Sequence, residues 1–469
     1  MEKMSAEDRL RSEINKCRNC EVCRTLLNFS CLVFPEMFRL VDEERKTGKK
    51  ISTDQIIHLI NLCNFCAQCP CLDIREAIMN AKTEYMDQYG LKFKIRAIED
   101  VERIGKLGGA IPSLTNLLLG NRVTRWLMEK TIGIHRDRKI PNFPKDNITA
   151  WLRKRNKNIG QVSKDKKKVA YFAGCTARYF FPEVAKAVIE VFEKNGIEVF
   201  YPEQQCCGMP SMLEGDRKLT MEFAMYNVAR LSEAVENGYD IVCSCPTCGY
   251  ILKKVYKVGA YYSAEYRESV KSDDGFVKIP LGGVISSVYG DRAYMSIPVE
   301  FFEGMLKDEG YFSSISPKKR IMVAENTYDI GEYLWMLHER DEFDTRLGPI
   351  SIRGVYYPPC HLRRQRIGRP YQNLLSLIPV ISLDLINGNY CCGNGGIMGF
   401  KQEFHRSSIK IGSRLIAKIK SLNPEVIATD CLSCRMQFNQ LTNYEVLHPI
   451  QIIKESYSNY QKQSGKKAV

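Results

Sequence analysis

The chain of 469 residues contains no run of about 18 or more uninterrupted apolar residues, so no transmembrane helix is expected. Met1 to Ile14 are charged and polar, without the apolar stretch and small-residue site of a secretory signal. A reducing, cytoplasmic setting follows as the expectation, and disulfides are scarce there. No G-x-G-x-x-G loop follows a strand, and Gly331 and the Gly395-Gly396 pair stand without phosphate-loop context, so neither a dinucleotide nor a flavin is expected on this chain. A basic and aromatic recognition motif is also missing, which removes nucleic acid as a partner despite the net charge of +14. That charge suits acidic partners or an anionic leaflet, although a solvated surface accounts for it more simply. The most apolar segment, Gly108 to Leu119, is broken by Pro112 and followed by Arg122, Arg125 and Lys130, a pattern compatible with a helix lying on a membrane surface.

What the sequence has in abundance is cysteine, nineteen in all. With 44% hydrophobic residues the chain can bury ample core without bridges, in roughly two to four domains. Eight cysteines lie between Cys17 and Cys71, none between 72 and 174, and eleven between Cys175 and Cys434. This distribution predicts an α-helical domain over 1–100, a helical connection and linker over 101–165, and two α/β modules over 166–315 and 316–469. Ile140 to Pro144 and the charge-rich Lys164 to Lys168 read as an exposed connection, with a boundary near 165.

In the first domain Cys17, Cys20 and Cys23 form C-x2-C-x2-C, and Cys63, Cys66 and Cys69 repeat it. Such triplets wrap 4Fe-4S cubes in bacterial ferredoxins, where the fourth cysteine of each run serves the other cube. On that logic Cys71 completes the first set and Cys31 the second, although the gaps before these two depart from ferredoxin spacing. Zinc knuckles use paired C-x2-C rather than consecutive triplets. Ile74, Ile78, Ala81 and Tyr85 recur at helical spacing after the second triplet, so the clusters are expected between helices. This is similar to the α-helical ferredoxin of respiratory reductases.

Behind it lies an internal repeat. Cys175, Cys206, Cys207, Cys245 and Cys248 recur as Cys360, Cys391, Cys392, Cys431 and Cys434, always 185 or 186 residues later. Val169 to Ala173, Ile197 to Tyr201 and Ile241 to Ser244 read as strands in the first copy, and Val355 to Tyr357, Val380 to Leu385 and Val426 to Thr429 in the second. Pro182 suits a first helical turn, Ala185, Val188 and Phe192 share a face, and Asn195-Gly196 supplies a stop; Phe404, Ile411 and Leu415 mark a corresponding face in the second copy. Alternating elements imply a largely parallel sheet with the cysteines beyond its carboxyl edge. A cube takes four thiolates and each module offers five, with an adjacent pair able to bridge irons of an open cluster and Gly208 and Gly393 allowing close backbone approach. Cys243 lacks a counterpart and reads as a buried apolar thiol.

Cys-Cys-Gly followed by C-x-x-C, twice, resembles the CCG domain of heterodisulfide reductases and related oxidoreductases, and that resemblance implies a noncubane 4Fe-4S cluster on the five cysteines of each copy. Over nearly its whole length the chain resembles the C-subunit family of anaerobic glycerol-3-phosphate dehydrogenases. Ile134 to Pro141, Pro359 to Gly368, Cys391 to Lys401, Thr429 to Gln437 and His448 to Ile450 carry the likeness. It implies an electron-transferring subunit rather than a catalyst on its own, with two cubane and up to two noncubane clusters. Electrons would come from a flavoprotein dehydrogenase subunit and go to a membrane quinone or a membrane anchor subunit, the chain being peripheral on the inner face. Because the first copy keeps all five cysteines, heterodisulfide or disulfide reduction is the alternative. A zinc or disulfide scaffold predicts a colourless protein. His361 reads as a hydrogen-bond donor to a cluster sulfur, a proton carrier or a helix cap. Arg363, Arg364, Arg366 and Arg369 read as a solvated helix face, with steering of an anionic partner as the second reading.

Overall fold

The computed structural model describes residues 4–66, 68–71, 73–156, 167–270, 275–280, 294–299 and 307–466. The amino-terminal domain is helical: α1 (Ala6–Cys20), α2 (Val22–Leu26), α3 (Val33–Thr47), α4 (Thr53–Asn61) and α5 (Asp73–Tyr89). Ser5 caps α1 through the Asp8 amide, and Ser52 with Gln55 forms a capping box on α4. Glu21, in the left-handed region at φ 54°, ends α1 and starts α2, turning the chain between Cys20 and Cys23. Leu10, Ile14, Phe34, Met37, Ile74 and Ile78 fill the space between these helices, and the expected face of α5 is the buried one.

Five helices follow: α6 (Phe93–Glu99), α7 (Val101–Ala110), α8 (Pro112–Gly120), α9 (Arg122–Thr131) and α10 (Ile148–Asn156). Pro112 separates α7 from α8 because it suits a first helical turn and not a helix interior. The expected exposed connection at Ile140 to Pro144 is corrected here. Phe143 is buried, and Asn116 fixes the segment by accepting from the Phe143 amide and donating to its carbonyl, both at 2.8 Å. These apolar residues close onto the modules instead of facing water. The expected boundary near 165 lies outside the described residues, while Lys168, expected in the linker, begins the first strand.

The first module comprises β1 (Lys168–Phe172), α11 (Gly174–Tyr179), α12 (Pro182–Lys194), β2 (Glu198–Phe200), α13 (Met209–Glu214), α14 (Arg217–Glu236), β3 (Asp240–Cys243), α15 (Pro246–Tyr250) and α16 (Ala264–Val270). An antiparallel pair, β4 (Phe276–Pro280) and β5 (Tyr294–Pro298), is inserted before α17 (Pro317–Glu325), β6 (Thr327–Asp329) and α18 (Ile330–Glu339). The second module runs β7 (Arg353–Tyr356), α19 (Cys360–Gln365), α20 (Pro370–Ser376), β8 (Ser382–Leu385), α21 (His405–Ser421), β9 (Val426–Ala428), α22 (Leu432–Leu441), β10 (Glu445–Leu447) and α23 (Pro449–Lys466).

Both four-stranded sheets are parallel, in the orders β2-β1-β3-β6 and β8-β7-β9-β10, so the repeat seen in the cysteines is a repeat of topology. The division expected at 315/316 assigned β6 to the second module, whereas its parallel register with β3 makes it the fourth strand of the first sheet. Val380 also leaves its expected strand; it is exposed with φ 70°, and β8 starts at Ser382. In β1, Val169 to Phe172 are buried without alternation, as befits a strand covered on both faces. Residues of α12, α18, α20 and α23 pack with Tyr171 and Tyr356 into one core shared by the two modules.

A buried ion cluster ties the three parts together. Glu214 of α13 accepts from Lys401 at 2.5 Å and lies 3.9 Å from Lys82 of α5. Burial pushes the Glu214 carboxyl up, but Lys82 and Lys401 hold it below its ordinary 4.5. Its contribution to stability is therefore present above about pH 4.5 and is lost as pH falls through the lower folded value. Glu214→Gln leaves two buried ammonium groups without a counter-ion and is expected to destabilise the chain by about 3 kcal/mol at neutral pH, read from chemical denaturation.

Candidate functional site

All nineteen cysteines are free thiols, and eighteen of them belong to the four groups marked by their spacing in the sequence. The amino-terminal sets sit on and between the short helices. Burial pushes the Cys17 thiol up to about 12, with Cys23, Cys71 and Cys20 adding to the rise, and Cys23 to about 11, with Cys71 and Cys20 beside it. Cys71 thus stands in the field of the first triplet, at the surface with Cys20. Burial raises Cys31 to about 12 with Cys63 and Cys23 adding to the rise, and Cys31 in turn acts on Cys66 and Cys69, so it lies between the two triplets on the side of the second. Cys66 also lies in the field of Cys360 and Cys391, so the second set adjoins the second module.

Within each module the thiols stand where the parallel strands end. Chain leaving β1, β2 and β3 reaches Cys175, the pair Cys206-Cys207 and Cys245; chain leaving β7, β8 and β9 reaches Cys360, Cys391-Cys392 and Cys431. Cys175 and Cys360 lie in the first turns of α11 and α19, and Cys245 and Cys431 are the N-cap residues of α15 and α22, so positive helix ends lie at these four thiols. The sulfur of Cys206 lies 3.6 Å from that of Cys175, and the sulfur of Cys434 lies 3.1 Å from that of Cys392. Thiol hydrogen bonds from Cys206 and Cys248 bring Cys207 down to about 6, and those from Cys391 and Cys434 bring Cys392 well below 9, while the donating partners are pushed up. Cys243 is buried in β3 and its thiol donates to the Cys245 carbonyl at 3.4 Å.

The ten repeated module cysteines, with Cys66, line one cavity of about 440 Å³, and Cys243 does not. The cavity wall includes an apolar side from α7 to α9 and the segment after them, with Ile104, Leu119, Met128, Ile140 and Phe143, and polar groups of the modules such as Thr247, His361 and Asn394. Among the described residues no three Cys, His, Asp or Glu side chains converge on a single-ion site. The donor set fits a polynuclear, iron-containing group. Buried thiols that raise one another's pKa become thiolates only when cations in their midst offset desolvation and mutual repulsion.

Three devices hold this arrangement, and the first is His361. Its Nε2–H donates to the Phe65 carbonyl at 2.8 Å, so Nδ1 accepts from the Thr247 hydroxyl at 2.9 Å. Phe65 lies between Cys63 and Cys66, Thr247 between Cys245 and Cys248, and His361 follows Cys360, so one imidazole joins three thiol sets. Burial brings its pKa down to about 4, and it stacks on Tyr250. Cluster-sulfur donation, proton carriage and helix capping are all corrected by this geometry, because both ring nitrogens are already used.

The second device is Arg138, from the basic connection. Its guanidinium is buried, donates to Gln437 and Asn394, and favours the thiolate of Cys392. Arg178 plays a related part in the first module, donating to the Gln204 carbonyl at 2.7 Å and to Glu102 of α7 at 2.8 Å. Third come the amides that pin the loops. Gln204 accepts from the Ala173 and Gly174 amides and donates to the Tyr171 carbonyl, and Asn227 donates to the Cys206 carbonyl. Sequence reasoning passed over Arg138, Gln204, Asn227 and Asn394, since ligand spacing marks thiols and not the groups that orient them. The reading of Arg363 as solvated is also corrected: it donates to the Tyr390 carbonyl at 2.9 Å and to that of Gly388, fixing the loop before Cys391.

Parallel α/β modules that present five thiols each beyond their strand ends define a duplicated cysteine-rich redox domain. The cysteine-rich domain family CCG matches residues 169–253 and 355–439, so the chain carries that domain twice. It is similar to the C-subunit of the anaerobic glycerol-3-phosphate dehydrogenase of Escherichia coli (strain K12), 23% identical over 386 residues that cover 82% of each chain. It is also similar to the B-subunit of the fumarate reductase (CoM/CoB) of Methanothermobacter marburgensis, at 24% over 62% of this chain and 47% of that one. Lactate utilization protein A 2 of Bacillus cereus (strain Q1) is 24% identical over 62% of this chain and 99% of its own length.

Two substitutions test the devices. Arg138→Gln removes a buried cation beside Cys392 and is expected to shift the redox centre of the second module negative by on the order of 60 mV, the one-electron equivalent of a tenfold change, in a spectroscopic titration. In Gly393→Ala, a Cβ would meet the Ser408 carbonyl oxygen at 2.1 Å in a backbone with φ 86°. Strain and overlap together are expected to cost roughly 3 kcal/mol, seen as a lowered thermal midpoint.

Proposed function

We propose that this chain is the iron–sulfur electron-transfer subunit of an anaerobic dehydrogenase complex, taking electrons from a flavoprotein of the glycerol-3-phosphate dehydrogenase kind and passing them to a membrane quinone. The observation that carries the reading is the line of thiol sets, running from the surface at Cys20 and Cys71, past Cys31 and Cys66, to the buried module cysteines that adjoin Cys66. Cys17, Cys20, Cys23 and Cys71 would hold one cubane cluster, and Cys63, Cys66, Cys69 and Cys31 a second. Cys175, Cys206, Cys207, Cys245 and Cys248 would hold a noncubane cluster, and Cys360, Cys391, Cys392, Cys431 and Cys434 another. Clusters of this kind supply one-electron stations whose potentials follow charge, hydrogen bonding and burial.

The chain's own residues set those conditions. Exposure of Cys20 and Cys71 leaves the first set open to a docked donor. His361 holds the second set against both modules, which keeps the stations close. Arg138 lies beside Cys392 as a fixed positive charge, favouring the more negative, reduced state at that end of the line. The fumarate reductase (CoM/CoB) relative and the open space beside both complete five-thiol sets favour a second reading, cleavage of a disulfide substrate within the cavity.

Anaerobically purified protein is expected to contain about four irons per set with matching acid-labile sulfide, and to copurify with its flavoprotein. Cys66→Ser is expected to leave the first set reducible by that partner while slowing reduction of the module sets, followed by rapid-freeze electron paramagnetic resonance. Equal reduction of all sets in the variant would remove the relay order. Release of free thiols from a disulfide substrate would favour the second reading.

A further inference from the structure

Helices α7, α8 and α9 carry large apolar side chains on the outside. Leu107 is 70% exposed, Leu117 71%, Val123 65% and Ile111 60%, with Trp126 and Leu127 nearly half exposed on the same helices. Exposed apolar side chains that recur over three consecutive helices call for a covering partner, since singly scattered ones would not concentrate in this way. The charges on these helices are sorted by sign. Arg103, Lys106, Arg122 and Lys130 are exposed, whereas Glu102 and Glu129 are buried, bound to Arg178 and Arg136 respectively. Arg125, the one buried base of the three helices, donates inward to the carbonyls of Arg136, His135 and Arg138. What these helices turn outward is therefore apolar and cationic, with their own acids withdrawn and Arg103 held 4.0 Å from Asp100, the N-cap of α7.

We propose that α7–α9 is an interfacial membrane anchor, seated on an anionic bilayer with its apolar side chains among the acyl chains and its four bases at the headgroups. The charge sorting selects this occupant over a protein surface, because exposed bases on the same helices as an apolar, Trp-bearing face match an anionic leaflet. The helices lie in the interface plane and do not cross it: each has nine or ten residues, and among the described residues no helix is long and apolar enough to span. Inward from this face, Ile104, Leu119 and Met128 of the same helices wall the cavity that the module cysteines line. Docking here sets the thiol-lined cavity on the bilayer side, within reach of a lipid-soluble acceptor. The proposal deepens the quinone reading above by naming the surface that meets the membrane, but its test reads binding without electron transfer, and iron content is measured in parallel, so either can fail alone.

The test is flotation of the intact, anaerobically purified protein with vesicles of phosphatidylcholine alone or mixed with phosphatidylglycerol. The protein is expected to float with the mixed vesicles, less with the neutral ones, and less again as salt is raised. The double variant Leu117→Glu with Trp126→Glu, both at exposed positions, is expected to bind at least about tenfold more weakly with unchanged circular dichroism and iron content. A second variant, Arg122→Glu with Lys130→Glu, is expected to lose the preference for the anionic lipid. Absence of flotation with either vesicle, or flotation of the apolar-face variant at the native level, overturns the proposal. So does a wild-type dimer that this variant splits while the wild type fails to float, which would assign the face to a second copy.

Discussion

Thiolates cannot be gathered by the dozen in a protein interior without compensating positive charge, and much of this fold can be read as an answer to that constraint. Burial drives many of the cysteines above their ordinary pKa, and neighbouring thiols raise several of them further. Against this the chain sets helix amino termini at the ends of parallel strands, thiol hydrogen bonds that settle charge on Cys207 and Cys392, and the buried guanidinium of Arg138. These local groups lower the cost, and metal cations of a cluster would supply the remainder.

A second requirement is that separate thiol sets be held in register with one another. Two buried nodes meet it with different chemistry. His361 joins segments that lie between ligand-spaced cysteines, through a neutral imidazole whose two nitrogens have opposite roles. Glu214, between Lys82 and Lys401, joins the same three parts of the chain through charge. The connection after α6 adds a third link, since Glu102 engages the first module through Arg178 and Arg138 engages the second. A segment that reads as spacer is structural on its inner side, and its outer side is the apolar, basic face.

Much of the plan was open to inspection in the sequence because it is written in short-range spacing. The C-x2-C-x2-C triplets, the constant offset of the repeat, the Pro182 start and the Asn195-Gly196 stop are local, and the elements form where those signals stand. The reading failed where a residue's fate depends on something far along the chain. β6 was assigned to the wrong module because only its ladder with β3 reveals its sheet. Ile140 to Pro144 looked exposed because its partners are distant, and Arg363 looked solvated because the carbonyls it binds belong to the next loop.

The sequence by itself determined which atoms are available for chemistry: the number of thiols, their grouping in triplets and fives, and the α/β alternation that puts them beyond strand ends. Only the tertiary structure decided which sets adjoin, that both fives open on one cavity, and which charges face inward. The physical reason is that ligand spacing and helical periodicity are properties of a few consecutive residues, whereas electrostatic environment and burial are sums over everything that folding brings near.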